Sequence, residues 1–295
     1  MLHKLLPHQR YVILRTAIMV GLFALNEHFP GNSVSTSVAT QLKLSPVVIG
    51  GIVKALPALS LALNSLVCAL ASKYTSKMLY GLAFTVALLF CALGDYFLYL
   101  EAATPDTFFI HGLGSFLIAH VILSLSFYFR LLRLQDVCKT YVPQSMSFDV
   151  VPYLVFIYGG IFFKIMSVNL MENKELLQAV ALYCFMIAFM FFMALWNHRL
   201  EKRVRHIVEY EPKEKGHLNT ILPRWRAPGY LIGSVLFVIS DSFIGYGKFV
   251  DTDETANYSF QILSTYFIAI TFLCISSTDE PMLPSNTKES IGKKL

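Results

Sequence analysis

Charged residues are scarce in this chain of 295 residues. Lys, Arg, Asp and Glu make up 15% of it, whereas soluble domains carry about 25%. Hydrophobic residues reach 55% and the mean hydropathy is +0.57, both high for a soluble domain. The net charge of +5 is therefore no argument for nucleic-acid binding, and we expect no nucleic-acid partner.

Three chemical signatures are also missing. The five cysteines show no paired spacing typical of a disulfide framework or a zinc site. No G-x-S-x-G motif is present, which argues against a serine hydrolase. Among the apolar runs His120 is the only histidine apart from His28 and His111 at their edges, so the three ligands of a catalytic metal are not expected. We predict neither a metal nor another cofactor.

Long apolar runs dominate the sequence. Blocks of about 20 such residues are typical of transmembrane helices, so we predict an all-α, polytopic transmembrane helical bundle with about eight spans. Residues 1–276 are predicted to form a single transmembrane domain, and residues 277–295 a polar, disordered tail. The predicted spans are about 11–29, 47–71, 79–100, 108–129, 150–168, 176–197, 229–247 and 258–276.

The positive charges predict an orientation. Eighteen Lys and Arg residues fall on one side of these spans and three on the other. Because cytoplasmic loops are rich in Lys and Arg, both termini are predicted to be cytoplasmic. The basic insert 198–228 is interpreted as a solvated cytoplasmic loop, with docking to anionic lipid headgroups as the alternative. An integral protein of the endoplasmic reticulum or another internal membrane is expected.

Two aspartates lie inside apolar runs. A carboxylate in hydrocarbon costs several kcal/mol (about 3 on insertion scales) and therefore marks a functional site by default. Asp95 and Asp241 both lie about 9 Å below the non-cytoplasmic face, at 1.5 Å per residue. The other polar groups of the spans share this layer: Lys54, Tyr183, Tyr266 and, somewhat deeper, His120.

Helical spacing gives a second argument on the seventh span. Steps of four and three residues put Ser234, Asp241, Gly245 and Lys248 on one face, which suits a cavity better than lipid. Each residue also has an ordinary structural explanation. A serine or tyrosine often makes a hydrogen bond between helices, and an ion pair with Lys54 or Lys164 is the structural alternative for the two acids. The shared depth favours a site.

Several ordered pieces resemble the YhhN-like family of membrane proteins, the lysoplasmalogenases, over about residues 50–276. Two positions depart from the family pattern, since Ala55 stands where proline is usual and Ile270 where glutamine is expected. The matching pieces are Lys54-Ala55-Leu56-Pro57, Leu89 to Leu98 with Gly94-Asp95-Tyr96, Phe109 to His120 with His111-Gly112-Leu113-Gly114, Gly233 to Ser242 with Ser240-Asp241-Ser242, Lys248-Phe249, and Thr265-Tyr266-Phe267-Ile268-Ala269.

This resemblance implies hydrolysis of the vinyl ether bond of a lysoplasmalogen, with a lysophospholipid as substrate and membrane lipid as surroundings. Asp95 and Asp241 are then expected to divide the roles of acid and base, as paired carboxylic acids do in glycosidases. Lys54 and Lys248 are the candidates for binding the phosphate. The expected supporting polar network comprises His120, Lys54, Tyr183, Tyr266, Ser242 and Ser234.

One alternative belongs to another class of protein. A multi-span transporter or lipid-binding membrane protein would use the same acids as a proton relay. Matching halves with broken helices are typical of transporters, and no such internal symmetry is evident in the sequence.

Overall fold

The computed structural model describes residues 11–18, 20–21, 45–72, 75–105, 107–141, 150–171, 173–209, 226–251 and 258–278. Its regular structure is helical throughout, and this described part contains no strand. Residues 11–18 and 20–21 are helical. The seven further α-helices are α1 (Pro46–Leu70), α2 (Thr75–Ala103), α3 (Phe109–Tyr141), α4 (Leu154–Ser167), α5 (Lys174–Glu209), α6 (Arg226–Phe249) and α7 (Ser259–Thr278).

Helix length and apolarity make this a multi-pass membrane protein. In the described part of the chain seven segments are long and apolar enough to cross a membrane. They are α1 to α7, with α4 lengthened by the 3₁₀ turns Val151–Tyr153 and Val168–Leu170. The predicted all-helical bundle is thereby confirmed, and seven of its predicted spans agree with these membrane-crossing segments to within about six residues at each end. The described residues 11–18 and 20–21 fall in the predicted first span, 11–29, and the rest of that span lies outside the described part.

Two helices continue well beyond the predicted spans. α3 extends to Tyr141 and α5 to Glu209, and α6 begins at Arg226. The prediction that residues 198–228 are a loop is therefore wrong for 198–209 and for 226–228. Glu, Lys and Arg are good helix formers, and the end of an apolar run marks the edge of the apolar layer rather than the end of a helix. Residues 210–225 and the predicted disordered tail from 279 onward lie outside the described residues. The predicted orientation of the termini stays a prediction.

Neighbouring helices run antiparallel and fix the position of the two aspartates. α1 packs against α2, α2 against α3, and α6 against α7. The Glu101 carboxylate joins α2 to α3, because its Oε2 accepts the backbone N–H groups of Phe108 and Phe109 at 2.9 Å each. It therefore stabilises the N-terminus of α3 as a cap. We call this end of the bundle the α2–α3 end.

A glycine allows α2 and α3 to approach closely beside Asp95. A Cβ at Gly94 would lie 2.5 Å from the Phe116 ring, a distance that no side chain tolerates. The absence of a side chain at Gly94 therefore allows close packing of α2 on α3 one residue before Asp95. Asp95 and Asp241 each lie eight residues before the end of their helix at Ala103 or Phe249. The equal spacing from the α2–α3 end agrees with the common depth predicted from the sequence.

A second set of buried charges lies at the other end of the bundle. Arg130 on α3 donates from Nη2 to Glu201 Oε2 at 2.6 Å and from Nη1 to Asn197 Oδ1 at 3.1 Å. The Asn197 amide nitrogen donates to the backbone oxygens of Phe127 and Met193. All three polar side chains are almost fully buried. This cluster joins α3 to α5, so it fixes the relative position of the helices that carry His120 and Tyr183.

Candidate functional site

Asp241 on α6 accepts two close contacts on a single oxygen. The Tyr183 hydroxyl of α5 donates to Oδ2 at 2.5 Å, and His120 Nε2 of α3 lies 3.1 Å from the same atom. Asp241 Oδ1 has no hydrogen-bond partner among the described residues. One carboxylate oxygen is thus held by residues of two other helices, and the other is available to a bound molecule.

His120 is enclosed by the bundle. It is fully buried, and its Nδ1 lies 3.4 Å from the Met190 thioether. Its ring packs against Phe237 with the centroids 4.7 Å apart, and its Nε2 is 3.2 Å from the Tyr183 hydroxyl. The imidazole, the phenol and the carboxylate therefore form a closed triangle of hydrogen-bonding groups. Such an arrangement orients the carboxylate and provides a short route for a proton.

Asp95 on α2 also accepts a hydrogen bond from a tyrosine. The Tyr266 hydroxyl of α7 donates to Asp95 Oδ2 at 2.8 Å, and Asp95 is 97% buried by the bundle, with 3% of its surface exposed. Lys54 of α1 is close enough to act electrostatically on Asp95. The two buried acids consequently have different surroundings: Asp95 lies near a lysine, and Asp241 contacts a histidine.

The two acids are close enough to form one site. Asp95 and Asp241 interact electrostatically. Both carboxylates also act electrostatically on Cys91, one helical turn before Asp95. Phe237 lies between their partners, with its ring centroid 4.7 Å from His120 and 5.5 Å from Tyr266. Five residues that the sequence placed in one layer are thus brought together: Asp95, Asp241, His120, Tyr183 and Tyr266.

A largely apolar cavity adjoins Asp241. Together with its opening it comprises about 730 Å³ and is lined by residues from α2 to α6. Its polar lining consists of Tyr158, Tyr183, Asp241 and Ser242, and Asp95 is not among the lining residues. The remaining walls are aliphatic and aromatic, among them Leu98, Phe109, Phe116, Val155, Phe162, Met166, Ile187, Phe191 and Phe249. A space of this composition suits a hydrocarbon chain with one reactive polar group beside Asp241.

Ser242 contacts the cavity and a tyrosine that sequence reasoning missed. Its hydroxyl donates to the backbone oxygen of Val238 at 2.7 Å and lies 2.9 Å from the Tyr158 hydroxyl. Since the proton of Ser242 is used for Val238, Tyr158 donates to Ser242 Oγ. Tyr158 is an isolated tyrosine well inside its span, so no motif in the sequence could have identified it.

Ser234 does not join this network. It is fully buried, and its hydroxyl has no hydrogen-bond partner among the described residues. The helical spacing that put Ser234 on the face of Asp241 is correct, since the two lie seven residues apart on α6. That spacing does not say which neighbouring helix faces each turn, and a shared face therefore does not guarantee a shared network.

Lys248 forms an ion pair at the α2–α3 end. Its Nζ lies 2.9 Å from Glu101 Oε1 and 5.2 Å from the centroid of the Phe109 ring. Phe109 and Phe249 line the cavity, so this pair lies near the cavity and close to the end of the bundle. The sequence predicted Lys248 as a phosphate-binding candidate on the helical face of Asp241, but it contained no sign of its partner Glu101.

The described residues offer no evident metal site. No group of three or more His, Cys, Asp and Glu residues within this part of the chain is arranged to hold a metal ion. His120 and Asp241 are adjacent, but a catalytic zinc needs three protein ligands. The chemistry that the present residues can supply is therefore proton transfer and electrostatic stabilisation.

Comparison with known proteins identified one family. The model of the YhhN family matches residues 51–277 of this chain, which include every predicted site residue. No curated protein and no solved structure is significantly similar to the chain.

Proposed function

We propose that this chain, which belongs to the YhhN family, is a membrane hydrolase that cleaves the vinyl ether bond of lysoplasmalogens. The products are a fatty aldehyde and a glycerophospho-ethanolamine or glycerophospho-choline. The proposed location is the endoplasmic reticulum or another internal membrane. The observation that carries the proposal is a buried carboxylate, Asp241, at the wall of an apolar cavity, with one oxygen that accepts no hydrogen bond from the described residues.

The cavity suits a substrate with a single hydrocarbon chain. Apart from four polar residues the lining of the cavity is apolar. A bound hydrocarbon chain therefore contacts apolar side chains in place of water or of neighbouring lipid chains. The reacting bond of a lysoplasmalogen lies where the chain meets the glycerol. With the chain in the apolar part of the cavity, this bond lies beside Asp241 and the headgroup extends toward the α2–α3 end.

The chemistry requires proton donation to carbon. Protonation of the β-carbon of the vinyl ether forms a new C–H bond and leaves an oxocarbenium ion at the adjacent carbon. Water then adds to that carbon and gives up a proton to a carboxylate. The product of this addition is a hemiacetal. Transfer of the hemiacetal hydroxyl proton to the glycerol oxygen breaks the C–O bond and releases the aldehyde. One carboxylic acid and one carboxylate suffice, and no redox cofactor is needed.

In our proposal Asp241 carries out both proton transfers: it donates as the carboxylic acid and then, as the carboxylate, accepts a proton from water. Asp95 supplies a second carboxylate charge. Asp241 meets the substrate, because its Oδ1 is available and it lines the cavity. Asp95 acts on it electrostatically from outside the cavity wall. The negative charge of the pair stabilises the oxocarbenium ion, and His120 and Tyr183 hold Asp241 in position.

Two lysines at the α2–α3 end are the proposed phosphate-binding groups. Lys248 forms its ion pair with Glu101 and remains partly accessible, with 31% of its side chain exposed. A zwitterionic headgroup matches this pair, since its phosphate can face Lys248 while its ammonium faces Glu101. Lys54, which acts electrostatically on Asp95, is the second candidate.

The decisive test is aldehyde release by the purified full-length protein in lipid nanodiscs. With 1-O-alkenyl lysophospho-ethanolamine we expect a fatty aldehyde, and we expect the rate to persist in a chelator. The 1-O-alkyl analogue, which has no double bond to protonate, is the matched control and should yield none. Absence of aldehyde from the alkenyl lipid refutes the proposal, and lipid or proton transport without cleavage would favour the transporter alternative. Loss of activity in the chelator would instead point to a metal-dependent hydrolase.

Tyr183→Phe is expected to lower the rate of aldehyde release about 10- to 100-fold, because a hydrogen bond to a charged group contributes roughly 1.5–3 kcal/mol. The substitution removes only the hydroxyl that donates to Asp241. Tyr80→Phe is the control, since Tyr80 is also buried and donates to the Tyr230 hydroxyl away from the site. Kinetics in nanodiscs should show a reduced kcat for Tyr183→Phe alone. Equal activities of the two variants would contradict a role for Tyr183 in holding Asp241.

A further inference from the structure

Helix α4 is the least covered wall of the cavity. Buried residues make up 17% of its membrane-spanning window, against 44–56% for the other six spans. α4 packs mainly against α5, and its outward face exposes Ile157, Ile161 and Ile165. In a membrane this face contacts lipid. The cavity is therefore separated from the surrounding lipid on this side by a single, loosely attached helix.

Tyr158 belongs to both sides of that wall. It lines the cavity, yet 47% of its surface is exposed on the outside of α4. A side chain that contacts the cavity and the surroundings at once shows that the wall is one side chain thick at this point. Here the interior of the cavity and the lipid-facing surface meet.

The opposite side of this point is formed by α6. Ser242 lines the cavity. It lies three residues after Ile239 and four before Tyr246, so the three side chains share one helical face. Ile239 and Tyr246 are 37% and 39% exposed. Ser242 therefore also lies at the boundary between the cavity and the outer surface, and it accepts the hydrogen bond of Tyr158 at 2.9 Å.

The contact between the two helices is easily broken. At the Tyr158–Ser242 position it is one bond between neutral hydroxyls. Nearer the α2–α3 end, Met166 and Phe162 lie against Gly245, where a Cβ would come within 2.7 Å of Met166 Sδ. Neither contact contains an ion pair, in contrast to Lys248 and Glu101. Separating the helices at these two contacts therefore breaks no ion pair.

We propose that the seam between α4 and α6 is a lateral portal, through which the hydrocarbon chain of a membrane lipid passes from the bilayer into the cavity, and that the hydrogen bond from Tyr158 to Ser242 closes it. The inference rests on the proposed function in taking the cavity as the lipid site. It does not depend on which bond of that lipid is broken. A lipid that arrives in this way never leaves the hydrocarbon layer.

Carbene labelling from an unreactive lipid tests the portal. The probe is a 1-O-alkyl lysophospholipid with a diazirine at the end of its chain, mixed into phosphatidylcholine nanodiscs that contain the full-length protein. It has no vinyl ether, so its uptake is independent of hydrolysis. After timed irradiation, mass spectrometry compares adducts on the buried lining residues Val155 and Ile187 with those on the outward-facing Ile157 and Ile161.

Tyr158→Phe and Ser242→Ala are each expected to speed the appearance of cavity adducts about 2- to 12-fold, the effect of losing one neutral hydrogen bond. The double variant should give no further increase, because both substitutions remove the same bond. Tyr128→Phe, on a half-exposed tyrosine of α3 that does not line the cavity, should match the wild type. Adducts on the outward residues provide the reference for correctly folded protein in each sample.

Two results would overturn the portal. If cavity adducts form at the wild-type rate in both single variants, the chain does not pass between Tyr158 and Ser242. If adducts appear only on the outward residues in every sample, no chain enters the cavity at all. Failure of aldehyde release together with faster labelling in both variants would refute the proposed reaction and leave the portal intact.

Discussion

Asp241→Asn is expected to lower aldehyde release about 10²- to 10⁴-fold, the usual contribution of a positioned acid or base. Asparagine has nearly the same shape as aspartate and its amide oxygen can still accept the Tyr183 hydroxyl. The variant therefore loses the ability to give and take a proton while the packing around it is kept. Steady-state kinetics in nanodiscs should show the loss in kcat, with little change in KM.

Asp95→Asn is the informative companion of this variant. Asp95 does not line the cavity, but it interacts electrostatically with Asp241. We expect a smaller loss in kcat than for Asp241→Asn, because removal of this charge changes the field at the site without removing the group that meets the substrate. An unchanged rate in Asp241→Asn would refute the proposed chemistry. A greater loss in Asp95→Asn than in Asp241→Asn would reverse the proposed roles.

Monodisperse elution and binding of the unreactive 1-O-alkyl lysolipid control for misfolding in both variants. A variant that elutes as the wild type and binds this lipid, yet releases no aldehyde, has lost chemistry and not structure. If an aspartate variant fails both controls, its role is tested instead by removing the hydroxyl of its tyrosine partner. The variants are Tyr183→Phe for Asp241 and Tyr266→Phe for Asp95.

Depth along a helix is the part of the site that the sequence predicted well. Each residue of a helix rises by a fixed distance, so the spacing of Asp95 and Asp241 from the ends of their apolar runs gave a common layer. The layer also included His120, Tyr183 and Tyr266, and the structure brings all five together. Membrane helices that run side by side turn a one-dimensional spacing into a real proximity.

Rotation about the helix axis was not predictable in the same way. The spacing put Ser234 on the face of Asp241, but its hydroxyl has no partner among the described residues. Tyr158 was missed because an isolated tyrosine in a lipid-facing helix has no distinguishing pattern. Glu101 and Lys248 are 147 residues apart in sequence, and only the packing of α2 against its neighbours brings such a pair together.

Helix ends beyond the apolar layer were also outside what the sequence predicted. Residues 198–209 are polar and basic, and a polar segment is normally interpreted as a loop. The structure continues α5 through them to Glu209. Because α5 continues, Glu201 lies beside Arg130. The interpretation of this segment as a loop therefore could not predict the buried ion pair at that end of the bundle.

Glu201→Ala is expected to lower the free energy of unfolding by about 3–5 kcal/mol, the usual cost of removing one partner from a buried ion pair. Arg130 and Glu201 expose 3% and 2% of their side chains, so the remaining arginine cannot be solvated in place. Arg130 also lies over the Tyr230 ring, 5.2 Å from its centroid, but that contact does not replace a counter-charge. Thermal unfolding in detergent should show a clearly lower midpoint.

The double variant Arg130→Met with Glu201→Leu separates the charge from the packing. It removes both charges and keeps apolar side chains of similar volume, a replacement that is often neutral or stabilising. We therefore expect it to be more stable than Glu201→Ala. Lys202→Met, one residue away on the exposed side of α5, controls for the loss of one charge and should unfold as the wild type does. A double variant as unstable as Glu201→Ala would show that the polar cluster contributes through its hydrogen bonds to Asn197, and not through compensation of a buried charge.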